Sequence, residues 1–284
     1  MPEGTEGVRI AVALSRAGVA SRREAERLIE EGQVTVNGHT VEHPSLRVVK
    51  EDCIKLGNRV VPQQAPKVYY LVNKPKGRIT GRRDPEGRKS VLDLVEELPF
   101  RVEPIGRLDF NTEGALLLTN DGEMANQLTH PSNGVPKRYW AKVYRTPNER
   151  TLDKLRKGIR LEDGRTAPCK CRVLERTDGG NAWVEITVTE GRNRLIRRVF
   201  ESLGHPVSKL RRMSFATISV RDLEVGAVRR LTDEEVERLR AFSEGRRPPG
   251  RPPRRRSHGR AQRQGSAGGR KSSSGSNARR RSRG

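Results

Sequence analysis

The last forty residues, Gly245 to Gly284, contain no aromatic side chain and no aliphatic one larger than alanine, so whatever this 284-residue chain folds into is built from residues 1–244. The same stretch holds fourteen of the 58 Lys and Arg and none of the 35 Asp and Glu. Without apolar surface to bury it cannot offset its own ordering entropy, and it reads as a disordered basic tail. Setting it aside leaves 44 basic against 35 acidic residues, so the tail supplies more than half of the net charge of +23. A field of that sign favours a polyanionic partner, and each arginine placed on a phosphate gains affinity by counterion release. No run approaches the roughly 20 apolar residues that span a bilayer, and no apolar stretch follows Met1-Pro2-Glu3-Gly4 as in a signal peptide. Three cysteines are an odd number and too few for a disulfide framework. The expectation is a soluble cytoplasmic monomer with no membrane partner.

Residues 1–64 read as a small unit with the start of a linker. Ile10, Ala13, Leu14 and Ala17 share a helical face that Gly18 can stop with a positive φ. A second helix begins at Ser21, where Ser21 and Glu24 form the S-x-x-E capping pattern, and Gly32 ends it. Val34 and Val36 then alternate up to Asn37-Gly38, a hairpin turn signal. Arg16, Arg22, Arg23 and Arg27 crowd the start and one side of the second helix, where backbone N–H groups also attract phosphate.

Residues 65–244 read as a larger α+β domain with a mainly antiparallel mixed sheet and flanking helices. VYYLVN, ALLLTNDGE, RYWAKVYR and AWVEITVTE have strand character. SVLDLVEEL, EMANQLTH, NERTLDKLRKG and NRLIRRVFESLG have helical character, with Ser90 and Asn148 as caps. No phosphate-cradling loop, dinucleotide fingerprint or paired zinc-ligand pattern occurs, and Cys169-Lys170-Cys171 lacks a nearby histidine and reads as strand. No metal and no cofactor is expected.

Two dense segments remain. In GRLDFNTEGALLLTNDGE, Asp109 precedes a buried strand in a loop that can hold it rigidly. In EGRNRLIRRVF, Arg192, Arg194, Arg197 and Arg198 crowd a helix N-terminus whose other face is apolar. An arginine beside a partly buried carboxylate would depress its pKa and orient it by two parallel hydrogen bonds.

The N-terminal stretch LSRAGVASRREAERLIEEGQVTVNGHTV resembles the small alpha-L RNA-binding domain named after a small-subunit ribosomal protein, over about 55 residues. That resemblance implies that Ser21, Arg22, Arg23 and the Asn37-Gly38 turn face structured RNA. GRLDFNTEGALLLTNDGEMANQLTHPS, then PKRYWAKV, then EGRNRLIRRVFESLGHPVSKLRRMSFATISV are similar to the RsuA/RluB family of ribosomal RNA pseudouridine synthases, over nearly all of residues 5–240. The resemblance puts Asp109 on the essential aspartate, Tyr139 on the active-site tyrosine and Arg197 on the arginine that pairs with that aspartate. Lys74 in NKPKG matches the first motif. Arg107, Asn111, Thr112, Lys137, Arg192, Asn193, Arg194 and Arg198 join Lys74 as expected RNA contacts. One departure stands out: the family usually has Gln where this chain has Leu195, and a leucine there donates no hydrogen bond. NTEG, NDGE and HPS look more like the large-subunit branch than the small-subunit one, and the basic tail agrees.

By this resemblance the chain isomerises uridine to pseudouridine at one site in ribosomal RNA, with ribosomal RNA or an assembly intermediate as partner. Asp109 either attacks C1′ or removes the C2′ proton, and Tyr139 stacks on the flipped base. The alternatives are a small-subunit target, or a noncatalytic RNA-binding assembly factor that keeps the fold without the chemistry.

Overall fold

A computed structural model describes residues 7–246 apart from Gln63, Gln64, Arg83 and Gly245; the expected basic tail lies outside the described residues, save Arg246. In the N-terminal part, α1 (Ile10–Arg16) buries Ile10, Ala11 and Leu14, and Gly18 beyond it has φ +76°. Helix α2 (Arg22–Glu30) carries both halves of its capping box, Ser21 Oγ accepting from Glu24 N–H and the Glu24 carboxylate accepting from Ser21 N–H. The strand Val34–Val36 turns back to His39–Thr40 through Asn37 and Gly38, both at positive φ as this tight hairpin requires. A second hairpin, Ile54–Leu56 with Arg59–Val60, turns at Gly57-Asn58, a signal that escaped the sequence reading, and pairs with Val34–Val36 to complete a four-stranded sheet. Ile10, Leu14, Ala25, Ile29, Val34 and Ile54 form the core of this part.

The larger part is built on a nine-stranded mixed sheet. Its main strands are β1 (Tyr69–Lys74), β2 (Thr112–Thr119), β3 (Lys137–Val143), β4 (Lys170–Thr177), β5 (Asn181–Val188), β6 (Val207–Phe215) and β7 (Val228–Arg230). They lie in the order β4-β5-β3-β6-β2-β1-β7, all antiparallel except β6 with β2. The run in β2 is apolar without alternation because both of its faces are covered. Leu116 and Leu118 pack with Val72, Leu92 and Leu108. Ala115 and Leu117 pack on the other side under α3 (Gly122–Thr129) and α6 (Asp233–Ser243). In β5, by contrast, Ala182, Val184, Ile186 and Val188 are buried while Trp183 and Glu185 are not. Val184, Ile186 and Val188 face α4 (Glu149–Lys157) and α5 (Leu195–Ser202).

One local expectation changes, and one strand had no assignment in the sequence. SVLDLVEEL forms only a 3-10 turn, Leu92–Val95, because the following Pro99 forbids continuation and Ser90 Oγ already donates to the Gly81 carbonyl while accepting from Leu92 N–H. VSKLRRMSF, whose charges mask its alternation, is the β6 strand at the centre of the sheet.

The parallel pairing of β6 with β2 joins Leu210 to Thr112 and Arg212 to Gly114. Gly114 sits at φ +113°, and a Cβ there would lie 2.1 Å from the Arg212 carbonyl oxygen. Gly114→Ala is expected to destabilise the protein by about 4 kcal/mol, combining backbone strain with a clash in the core. Gly204→Ala, also at positive φ but with nothing within 4 Å, serves as the control at about 1 kcal/mol. Urea denaturation of the two variants side by side measures the difference.

Candidate active site

At the edge of the β2–β6 pairing the sheet opens into a cavity of about 380 Å³, lined by the loop before β2, by β3 and by the segment leading into α5. The loop is rigid for identifiable reasons. Leu108 is buried and held from both sides, its N–H donating to Thr80 Oγ1 and its carbonyl accepting from the same hydroxyl. Thr112 N–H closes a turn onto the Asp109 carbonyl at 3.0 Å. Beneath the turn lies Lys74, 0 % exposed, with its Nζ donating to the carbonyls of Pro75, Asp109, Phe110 and Thr112 at 3.0–3.4 Å. Burial pulls the Lys74 pKa down to about 8, while the carboxylates of Asp109 and Glu113 oppose that shift. The expectation that Lys74 contacts RNA is therefore corrected. Its ammonium is enclosed by backbone and holds the shape of the Asp109 turn.

Asp109 itself is half-buried at the cavity wall, and among the described residues its carboxylate makes no hydrogen bond and no ion pair. Arg197 is close enough to feel its charge but grips the loop instead, donating from Nη2 to the Asn111 carbonyl at 3.3 Å and from Nη1 to the Val207 carbonyl at 3.0 Å. Burial and the neighbouring Arg194 lower the Arg197 pKa, and Asp109 counteracts them. The expected two-pronged pairing with the carboxylate is thus replaced by a grip on the backbone two residues away. The reason is geometric: both guanidinium arms are already committed to carbonyls. Tyr139 projects from β3 at the junction of two apolar clusters and lines the cavity.

The arginines divide into two kinds. Arg192 and Arg198 converge on Asp163, with Arg198 bridging both carboxylate oxygens at 2.5 and 2.9 Å, and the Arg198 hydrogen bonds hold the Asp163 pKa down to about 2. Arg192 also pairs with Glu190 at 2.9 Å. These two residues tie α5 and the segment before it to the hairpin formed by residues 160–165. Arg194 stands free and exposed, at φ +47°, a left-handed conformation that a non-glycine residue rarely adopts. The side chains of Arg107, Asn111 and Asn193 are likewise exposed and unpartnered among the described residues. Thr112 is a wall residue, 0 % exposed, whose Oγ1 has no partner. Leu195 is buried in the α4–α5 core and presents an apolar side to the cavity.

Ser21, Arg22 and Arg23 do not reach this cavity. Ser21 is spent on its helix cap, while all three line a separate cleft of about 1130 Å³ together with Arg82 and Arg101. Two ion pairs cross that cleft, Arg101 with Glu24 and Arg16 with Glu123.

One cavity residue escaped the sequence reading. Arg212 is 2 % exposed on β6, donates from Nε to the Ala115 carbonyl at 2.6 Å, and lies over the Phe215 ring at 5.3 Å. Its Nη2 has no partner. The only signal was the charge pair in KLRRM, which looks like any solvated surface until β6 is placed in the sheet. Lys137, on β3, lies over the same ring at 5.5 Å, and burial together with Arg212 pulls its pKa down to about 8. Among the described residues no three His, Cys, Asp or Glu side chains gather as a metal site. No helix among them is long and apolar enough to cross a membrane.

Comparison with known proteins places this geometry. Residues 68–202 match the family described as RNA pseudouridylate synthase, and residues 8–54 match the S4 domain. The chain is 46 % identical over 237 residues to the ribosomal large subunit pseudouridine synthase B of Bacillus subtilis (strain 168), covering 83 % of this chain and 97 % of the relative. Against the ribosomal large subunit pseudouridine synthase B of Pseudomonas aeruginosa it is 36 % identical over 247 residues, 84 % of this chain and 63 % of that one. A crystal structure of a pseudouridylate synthase superposes with a TM-score of 0.59 at 27 % identity, covering 82 % of this chain and 99 % of that one. An RNA-binding module joined to a modification domain defines the class, a two-domain RNA-modifying isomerase. The chain belongs to the RNA pseudouridylate synthase family.

The depressed pKa of Lys137 has a consequence for stability. Between pH 8 and about pH 10.5 the unfolded chain holds a proton that the folded chain has shed, so this group makes stability rise with pH across that window. The stability of the wild type relative to Lys137→Met is expected to increase by about 2 kcal/mol from pH 8 to pH 10.5, the open cavity mouth screening part of the full effect. Urea denaturation at several pH values checks it.

Proposed function

We propose that this protein isomerises a specific uridine of large-subunit ribosomal RNA to pseudouridine, with Asp109 as the group that acts on the ribose. The observation that carries this reading is a carboxylate left unpaired on a rigid turn, at the wall of a cavity roomy enough for a whole extruded nucleotide, with Tyr139 beside it and the Arg197 charge within reach. The naming of the Bacillus and Pseudomonas relatives supports the large subunit as target. The reaction breaks the N1–C1′ bond, turns the uracil and joins C5 to C1′. The C5 proton leaves and N1 gains one, so nothing is oxidised or reduced and no cofactor is called for.

In this reading each part has a distinct task. Asp109 begins the reaction, whether at C1′ or at the C2′ proton, and stays ionised for it in the field of Arg197. Tyr139 stacks on the extruded base, a contact that tolerates any base, so the choice of uridine rests on RNA shape. Arg107 and Arg194, free and exposed at the cavity rim, hold the phosphates on either side, with Asn111 and Asn193 beside them. Lys137 lines the cavity with its Nζ donating to the Val135 carbonyl at 3.0 Å and keeps further protons for a base acceptor, while the buried Arg212 sits behind the wall. In this proposal the RNA-binding unit spans 1–64, the catalytic unit 65–244 and the basic tail 245–284. The protein acts as a cytoplasmic monomer.

Asp109→Asn is expected to lower kcat for tritium release from C5-tritiated uridine in ribosomal RNA by roughly 10³-fold or more, with RNA affinity changed less than about threefold. Site-resolved pseudouridine mapping in cells lacking the protein should show one large-subunit pseudouridine lost, restored by the wild type and not by Asp109→Asn. An unchanged map would transfer the reading to a noncatalytic assembly factor. Deleting residues 245–284, with their fourteen basic side chains, should weaken binding and flatten its dependence on salt while kcat at saturating RNA stays near the wild-type value.

A further inference from the structure

The chain has two tryptophans, Trp140 and Trp183, and both line one groove of about 600 Å³. Successive side chains of a strand point to opposite faces, so Trp140 lies on the sheet face away from Tyr139 and the catalytic cavity. Glu113, paired with Arg211 across the β2–β6 register, lies in the groove. The described helices leave the face bare over β5, β3 and β6. Both indoles are accordingly half-exposed in the middle of a sheet rather than at its rim.

Charge sets the groove apart from an ordinary solvated face. Glu185 is neutralised, accepting from Trp140 Nε1 at 3.1 Å and pairing with Arg172 at 3.1 Å, which also fixes the plane of the indole. Glu113 is taken by Arg211 at 2.9 Å and approached by Lys76 at 4.0 Å, so that Glu175, at the β4 side, is the one lining carboxylate without a cation partner among the described residues. Lys209 and Arg221 are exposed, and among the described residues neither has a carboxylate partner. The cross-strand register sets Trp140 between Glu185 and Arg211, and Lys142 between Trp183 and Lys209, so aromatic faces alternate with cations across three strands. A sheet surface of this composition stacks unpaired bases and holds the phosphates between them, with little preference for sequence.

The groove also adjoins the cavity. Thr112 and Leu210 line the cavity, while the neighbouring Glu113 and again Leu210 line the groove, so a strand leaving Asp109 crosses only the first turn of β2 to reach it. We propose that this groove is a second RNA-binding site, which takes single-stranded nucleotides adjacent to the target uridine by stacking them on Trp140 and Trp183 with their phosphates on Lys209 and Arg221. An acidic protein surface fits less well, because it gives no use to two open indole faces. The proposal rests on RNA being the partner, but not on which uridine is modified or how.

The tryptophans supply the test, since all indole emission of the full chain comes from this groove. A ten-residue oligoadenylate is titrated in; it contains no uridine, so its binding is independent of the isomerisation. Saturable quenching of tryptophan emission is expected, with labelled-oligonucleotide anisotropy giving the same Kd. The double variant Lys209→Glu, Arg221→Glu should raise the Kd from quenching at least tenfold. It should also reduce the slope of log K against log salt by about 1.4, or roughly 0.7 for each phosphate no longer held. Both side chains are exposed, and circular dichroism of the variant controls for folding. Binding seen by anisotropy with no change in emission, or quenching untouched by the double variant, overturns the proposal. So does quenching by polyglutamate in place of the oligonucleotide, which would mark a protein-docking face. A chain that quenches normally but fails to isomerise ribosomal RNA would refute the proposed function and leave this site standing.

Discussion

Lys74 carries a charge to a place with no water, and four carbonyl oxygens turn inward to meet it. A buried ammonium is costly unless dipoles replace its hydration shell, so these carbonyls are not free to point elsewhere. Three of the four belong to Asp109, Phe110 and Thr112, which means that satisfying one lysine dictates the path of the backbone carrying the carboxylate. The close pairing of β2 with β6 then depends on the same turn, because Gly114 can approach Arg212 only if the chain leaves the turn in the right direction. Arg197 reinforces it from the far side through the Asn111 carbonyl. Two cations grip the backbone, and the carboxylate is left without a partner among the described residues.

This arrangement explains why a strongly basic chain is not a uniformly RNA-facing one. Arg192 and Arg198 are consumed by Asp163, Arg211 by Glu113, and Arg212 by the Ala115 carbonyl. Those side chains fix the positions of loops. Among the cations without such a partner, Arg107 and Arg194 stand at the cavity and Lys209 and Arg221 line the Trp140–Trp183 groove, each with charge to offer a phosphate. Net charge therefore indicates the class of partner, while the ion-pair pattern indicates where that partner can sit.

Features fixed by neighbours in the chain were legible in the sequence. The Ser21–Glu24 capping box, the Asn37-Gly38 turn and the Asn148 cap of α4 are local, and each formed at the expected residues. So did the unbroken apolar run of β2, since burial on two faces leaves a plain mark. What depends on contacts between distant segments was not legible. Lysine at 74 looks the same whether it meets phosphate or carbonyls, and Arg212 resembles its neighbour Arg211 until β6 is seen between β3 and β2. The resemblance of GRLDFNTEG to a known family pointed to the carboxylate, but the hydrogen bonds that orient the loop around it are set by Lys74, Thr80 and Arg197, which lie far apart in the chain.

Leu195 illustrates how a departure from a family pattern can be read physically. A polar side chain at that position would offer a hydrogen bond at the cavity wall; leucine offers only surface. Together with Ile196, Val188, Leu210 and Phe215 it gives the cavity a wall with little to hold a water molecule. A glycosidase positions water between its carboxylate and the anomeric carbon, whereas an isomerase has to deny water that position until the base has turned and rejoined. An apolar wall facing a single unpaired carboxylate suits the second task, because water gains nothing by remaining there while the detached uracil loses little by staying. On this account the leucine withholds a hydrogen bond that hydrolysis could have exploited, and Lys137 and Arg212 are turned to the Val135 and Ala115 carbonyls rather than toward a water on the ribose.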